Sequence, residues 1–171
     1  VPEKGFLTQQ LDAIALDIDL DAVKIGMLPT ADAVREVSGW LDSAKPPVIV
    51  LDPVMVASSG DELMDSSALE ALRELLPKAS LVTPNLPELG VLLGVPTAQT
   101  WDQAVVQGKE LAVNYRINVL VKGGHLVYGF CPDAMVTADG AIDQFSLPRV
   151  LTNKTHGTGC SLSAALATLY A

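Results

Sequence analysis

Four short apolar runs, each closed by glycine, proline or a polar residue and each set off by a helical pattern, limit the fold of this chain more than any other feature. They are Ala22-Val23-Lys24-Ile25-Gly26-Met27, Val48-Ile49-Val50-Leu51, Ser80-Leu81-Val82-Thr83 and Asn118-Val119-Leu120-Val121-Lys122. The second run has no polar alternation, which suits a strand covered on both faces. Strands that alternate with helices pair in parallel and are joined by right-handed crossovers. The expected class is therefore α/β: three layers, with a mainly parallel sheet between helices on both faces.

The helical segments carry their own signals. Leu7, Leu11, Ile14, Ala15 and Ile18 recur at helical spacing ahead of the first strand. Thr30 is placed to cap a helix bearing Ala33, Val34, Val37 and Leu41. A loop through Ser58-Ser59-Gly60-Asp61 leads to a helix from about Ser67, with Leu69, Leu72, Leu75 and Leu76 on one side. A short helix follows Pro84-Asn85-Leu86-Pro87-Glu88 and closes near Gly94, and Thr100 with Gln103 resembles a capping box for the next. Ala134 to Thr137 and Ile142 to Phe145, separated by Asp139-Gly140, predict a hairpin with a two-residue turn.

Composition removes several function classes. A net charge of −9 offers no basic stripe for a nucleic-acid backbone. With 49% hydrophobic and 18% charged residues the chain reads as globular, and no apolar run is long enough to span a membrane. One domain over 1–171, cytoplasmic, is the expectation. Cys131 and Cys160 have neither disulfide-framework nor metal-site spacing.

Ligands of parallel sheets lie beyond the strand carboxyl ends. Gly26-Met27, Asp52-Pro53-Val54, Thr83 to Glu88 and Lys122-Gly123-Gly124 all follow strands, so they should open on one edge. Thr155-His156-Gly157-Thr158-Gly159-Cys160 opens an Ala/Leu-rich helix, and the free N–H groups of Gly157, Thr158 and Gly159 offer an anion site there. Carboxylates, an amide, an ammonium, a glycine turn and a thiol form the set that phosphoryl transfer needs. Asp52 and Glu88 supply hard oxygens for Mg²⁺, Lys122 a point charge for phosphate, and Cys160 a proton acceptor at the positive end of a helix. Each also has a plainer reading. Asp52 before Pro53 suits a turn, and Asn85 with Glu88 suits a helix start. Met27 suits core filling, and His125 and His156 suit structural hydrogen bonding.

Lys24-Ile25-Gly26-Met27, Leu51-Asp52-Pro53-Val54-Met55, Thr83-Pro84-Asn85-Leu86-Pro87-Glu88, Val121-Lys122-Gly123-Gly124-His125 and Thr155 to Cys160, in this order and spacing, resemble the successive motifs of hydroxymethylpyrimidine and phosphomethylpyrimidine kinases of the ribokinase-like superfamily. The resemblance covers essentially the whole chain. It implies phosphorylation of 4-amino-5-hydroxymethyl-2-methylpyrimidine and of its monophosphate, dependent on ATP and Mg²⁺, in thiamine biosynthesis. By position it implies that Gly157 to Cys160 form the anion hole, with Cys160 where most of the superfamily places an aspartate base. It likewise implies that Asn85 and Glu88 serve metal and phosphate beside Asp52, that Met27 and Val54 line the pyrimidine pocket, and that Lys122, Thr83 and Gly123 border the nucleotide.

Against that pattern the chain lacks an opening strand with its Gly/Ser/Asp-rich loop and stops inside the anion-hole helix. A domain incomplete at both ends is the expectation. Ser58 stands where lysine is common, and Ser161 where threonine is common. Two other readings stay open: a pyridoxal kinase, which shares the Gly-Thr-Gly-Cys turn, and a non-catalytic pyrimidine- or nucleotide-binding module. Relatives of this kind also imply a homodimer.

Overall fold

A computed structural model describes residues 3, 5–55, 64–126, 129–152 and 154–171. Helix α1 (Phe6–Ala15) precedes strand β1 (Val23–Ile25), and α2 (Ala31–Ala44) leads to β2 (Ile49–Leu51). Next come α3 (Ser66–Leu75), β3 (Leu81–Val82), α4 (Leu86–Leu93), α5 (Trp101–Tyr115) and β4 (Asn118–Lys122). A hairpin of β5 (Phe130–Val136) and β6 (Ile142–Pro148) precedes α6 (Thr158–Tyr170).

The strands form one sheet in chain order, β1-β2-β3-β4-β5-β6. The first four run parallel, with Ile25 opposite Leu51, Leu51 opposite Val82 and Val82 opposite Val119; β5 and β6 are antiparallel. The α/β class and parallel centre match the expectation, but the layers are unequal. Strands laid down in sequential order, joined by crossovers of one hand, put their helices on one face. Residues of α2, α3, α4 and α5 accordingly share a single large core cluster with Ile25, Leu51, Val82, Val119 and Val121. The opposite face is covered more thinly: Val48, Val50, Leu81 and Leu120 meet Ala167, with Leu166 beside it, from α6.

The period of a strand is two, so neighbours face opposite layers. Since Ile25, Leu51, Val82 and Val121 face the large core, Lys24, Asp52, Thr83 and Lys122 fall on the α6 side. Four polar groups are thereby gathered beneath one helix.

Local chemistry sets the element ends. Thr30 caps α2 by accepting from Ala33 N at 3.2 Å, as its position predicts. Helix α3 starts at Ser66, one residue ahead of the expected start, and Asp65 caps it by accepting from Ala68 N at 2.8 Å. At α5 the expected capping box is only half made. Thr100 accepts from Gln103 N at 3.3 Å, but the Gln103 side chain accepts from Gln99 N at 2.9 Å instead of from the cap residue. The hairpin is longer than its sequence signal, pairing Phe130 with Pro148 through Val136 with Ile142. Its turn is a three-residue loop, 138–140, closed by Thr137 N on Ala141 O at 2.9 Å, with Gly140 at φ 84° taking the left-handed position. In α1 the core-facing residues are Leu7, Leu11 and Ala15, while Ile14 points outward; the helix ends at Ala15, so Ile18, expected on its apolar side, lies beyond it and is exposed. The loop through Ser58, Gly60 and Asp61 lies outside the described residues.

Candidate phosphoryl-transfer site

Asp52 is the centre of the polar cluster. It follows β2 directly and is 2% exposed, a position that requires its charge to be matched. Its Oδ1 accepts from Thr83 Oγ1 at 3.1 Å and from Lys122 Nζ at 3.2 Å. Its Oδ2 accepts from Ser163 Oγ at 3.2 Å and faces Lys24 Nζ at 3.9 Å. Lys24 and Lys122 around the single Asp52 carboxylate leave those three groups with a surplus of positive charge, which suits a phosphate-bearing ligand.

Lys122 ends β4, and its backbone N–H donates to Pro84 O at 3.2 Å, extending the β3–β4 pairing past Thr83 to an Asn85–Lys122 bridge. That extension places the start of α4 beside the ammonium. Asn85 caps α4 reciprocally: its Oδ1 accepts from Glu88 N at 2.9 Å, and Glu88 Oε2 accepts from Asn85 N at 2.8 Å. The plain helix-start reading of these two residues is therefore correct as structure. Glu88 is nevertheless 5% exposed, and its carboxyl is raised to about 7. Burial is the main cause, opposed by the Asn85 N–H and the Lys122 charge and reinforced by Asp52. A carboxyl held near neutrality by burial is ready to ionise when a cation arrives.

Gly123 explains itself by space. A Cβ there would lie 2.2 Å from Pro132 O and 2.9 Å from Trp101 Cζ3, and its N–H donates to Asp133 Oδ1 at 3.0 Å. The loop it begins, with Leu126 and His125, joins Leu86, Pro87, Thr97, Ala98 and Gln99 around a cavity of about 330 Å³.

Gly157, at φ 78°, forms the left-handed entry to α6, which has no side-chain cap. The first-turn N–H groups of a helix lack intrahelical acceptors; here Thr158 N donates to Thr155 O at 3.3 Å, and the end carries no side-chain cap. Thr158 turns its hydroxyl to Thr155 O at 2.8 Å, away from that role, while Cys160 is exposed in the same turn. Gly159 is close enough that a Cβ there would lie 3.6 Å from Asp52 Oδ2 and 3.7 Å from Lys122 Nζ. The structure thus brings the glycine turn, Lys122, Asp52 and Thr83 into one group. Met27, 49% exposed, and half-buried Val54 follow the neighbouring strands β1 and β2, beside the group.

Sequence reading missed two members, Lys24 and Ser163. Each had a signal: a cation inside an otherwise apolar strand, at the parity of Asp52, and a hydroxyl four residues before Ala167 on the buried stripe of α6.

No three His, Cys, Asp or Glu side chains converge as a metal cluster among the described residues. Mg²⁺, which keeps several waters and binds through one or two carboxylates plus substrate phosphates, does not need such a cluster. Glu88 fits that pattern. Asp52 fits it less well, because all its acceptor positions face protein donors.

The chain is similar in sequence and fold to known proteins. The phosphomethylpyrimidine kinase family matches residues 1–171. The chain is 48% identical over 167 residues to a thiamine biosynthesis multifunctional protein of Corynebacterium efficiens, covering 98% of this chain and 23% of that protein. It is also 48% identical over 168 residues to the hydroxymethylpyrimidine/phosphomethylpyrimidine kinase of Salmonella typhimurium, covering 98% of this chain and 63% of that one. The chain thus spans less than two thirds of the length of these relatives. Among solved structures, pyridoxal kinase of Bacillus subtilis in complex with ADP superposes with a TM-score of 0.88 at 30% identity, over 97% of this chain and 62% of that one. The fold is ribokinase-like, and the chain belongs to the phosphomethylpyrimidine kinase family.

Proposed function

We propose that the protein carrying this chain transfers the γ-phosphoryl group of ATP to 4-amino-5-hydroxymethyl-2-methylpyrimidine and then to its monophosphate, in the formation of thiamine diphosphate. The observation that carries this reading is the uncapped start of α6 standing over Lys122 and Asp52. In the first reaction the substrate oxygen attacks the γ-phosphorus, the bond from phosphorus to the bridging oxygen breaks, and ADP leaves. Cys160, exposed in the same turn, is the acceptor of the hydroxyl proton, and the Gly157 to Cys160 turn with Lys122 balances charge on the transferred oxygens. Thr83, Asn85 and Gly123 border the nucleotide, and Met27 and Val54 hold the pyrimidine. Glu88, with Asp52 behind it, would hold Mg²⁺ through water. When bound, that ion would neutralise charge on the phosphates. A cytoplasmic homodimer that uses neither membrane nor nucleic acid completes the reading; no described helix is long and apolar enough to cross a membrane.

An ADP-release assay with both pyrimidines and with pyridoxal tests this. Pyrimidine-dependent turnover that falls at least about 100-fold in Cys160→Ala supports it. Turnover unchanged in that variant removes Cys160 from the proton transfer. Preference for pyridoxal would establish the second reading, which the similarity to a pyridoxal kinase structure keeps in view. Ligand binding without product would establish a non-catalytic module.

A further inference from the structure

We propose that Ser163 is a positioning residue, whose hydroxyl on the Asp52 carboxylate sets where the uncapped end of α6 stands relative to the Lys122 ammonium. This rests on reading that end as the phosphate site. Ser163 is 0% exposed and, with Ala167, is one of the two buried residues of α6. Its Oγ lies 3.0 Å from Gly159 O, 3.2 Å from Cys160 O and 3.2 Å from Asp52 Oδ2. A serine bonded only to carbonyls of its own preceding turn is ordinary and holds nothing but itself. A hydroxyl has one proton, and an ionised carboxylate is the strongest of these three acceptors.

The other Asp52 oxygen accepts from Lys122 Nζ at 3.2 Å. A continuous polar path therefore runs from the backbone of the glycine turn, through Ser163 and Asp52, to the cation. Among the described residues little else on that side fixes the helix. Its apolar contact with the sheet consists of Ala167 and Leu166, and apolar contact is non-directional. The far end is held by Tyr170, whose hydroxyl accepts from Asn118 Nδ2 at 3.0 Å. Ser163 is thus the directional tie at the end that matters for an anion. A slip of α6 by one residue moves it about 1.5 Å along its axis and turns it about 100°. That would leave the buried Asp52 Oδ2 facing, among the described residues, Lys24 alone, at 3.9 Å.

The test is Ser163→Ala in the full-length protein, with Ser163→Thr as the variant that keeps the hydroxyl. Alanine is the best helix former, so the helix itself survives. Expected are hydrogen-bonded amides of α6 from Ser161 to Ala164 that exchange about tenfold faster while those of β4 do not change. Turnover number should fall about 10- to 100-fold with KM for the pyrimidine within about twofold, as for a misplaced catalytic frame, and Ser163→Thr should recover most of it. Unchanged exchange in Ser163→Ala overturns the tie. Faster exchange with unchanged turnover overturns the positioning role, and a folded Ser163→Thr as impaired as Ser163→Ala assigns the effect to packing and overturns it too. Absence of phosphoryl transfer in the unsubstituted protein would be a failure of the proposed function alone. Tripolyphosphate affinity, measured by calorimetry, then decides the tie: about tenfold weaker binding in Ser163→Ala supports it, and equal binding overturns it.

Discussion

Glu88 shows how one buried carboxyl couples the site to stability. Its folded value of about 7 lies above the ordinary 4.5, so the folded state binds the proton more tightly than the unfolded one. The stabilising contribution is complete below pH 4.5 and is lost as pH rises through about 7. The shift corresponds to roughly 3 kcal/mol at its full extent. Glu88→Gln keeps an acceptor for Asn85 N and carries no charge, so the decline in stability across that interval should flatten in urea titrations run from pH 4 to 8. An unchanged slope would place the titration elsewhere. Glu88 was legible in the sequence as a candidate ligand, but its raised proton affinity was not: it depends on burial in the folded chain and on Lys122 and Asp52, which are distant in sequence.

At the scale of elements, period and caps carried most of the information. In α5 the spacing Ala104, Gly108, Leu111, Ala112 marks the buried stripe, and all four are buried against the sheet. Leu111→Ala should cost about 2–5 kcal/mol, whereas Val106→Ala on the outer face should stay within about 0.5 kcal/mol, both measured by denaturant midpoint. Gly123→Ala should cost about 1–3 kcal/mol, since its Cβ would overlap the Pro132 carbonyl across the β4–β5 junction. Stability equal to the parent would mean that junction yields easily. Two of the places where element reading slipped have one cause. Gln103 reached Gln99 instead of its own cap residue, and the hairpin turn took three residues instead of two. In each case several local geometries satisfy the same donors, and the strands or loops packed alongside choose among them.

For the molecule as a whole, the acidic balance of −9 makes a simple prediction. The protein should pass unretained through immobilised heparin at low salt, because the positive charge near Asp52 is local and partly buried. Retention would point to a basic face in the complete protein. The strand–helix alternation, the strand ends that carry Asp52, Thr83 and Lys122, and the glycine turn at Cys160 were legible in the sequence, since each follows from local patterning over a few residues. The tertiary structure alone decided that α2 to α5 crowd one face while α6 covers the other. It alone decided that the Asp52 carboxylate is taken up by Lys122, 70 residues away, and by Ser163, 111 residues away. Hydrogen bonds over such separations depend on how the layers pack, and no local propensity encodes which donor a buried carboxylate will meet.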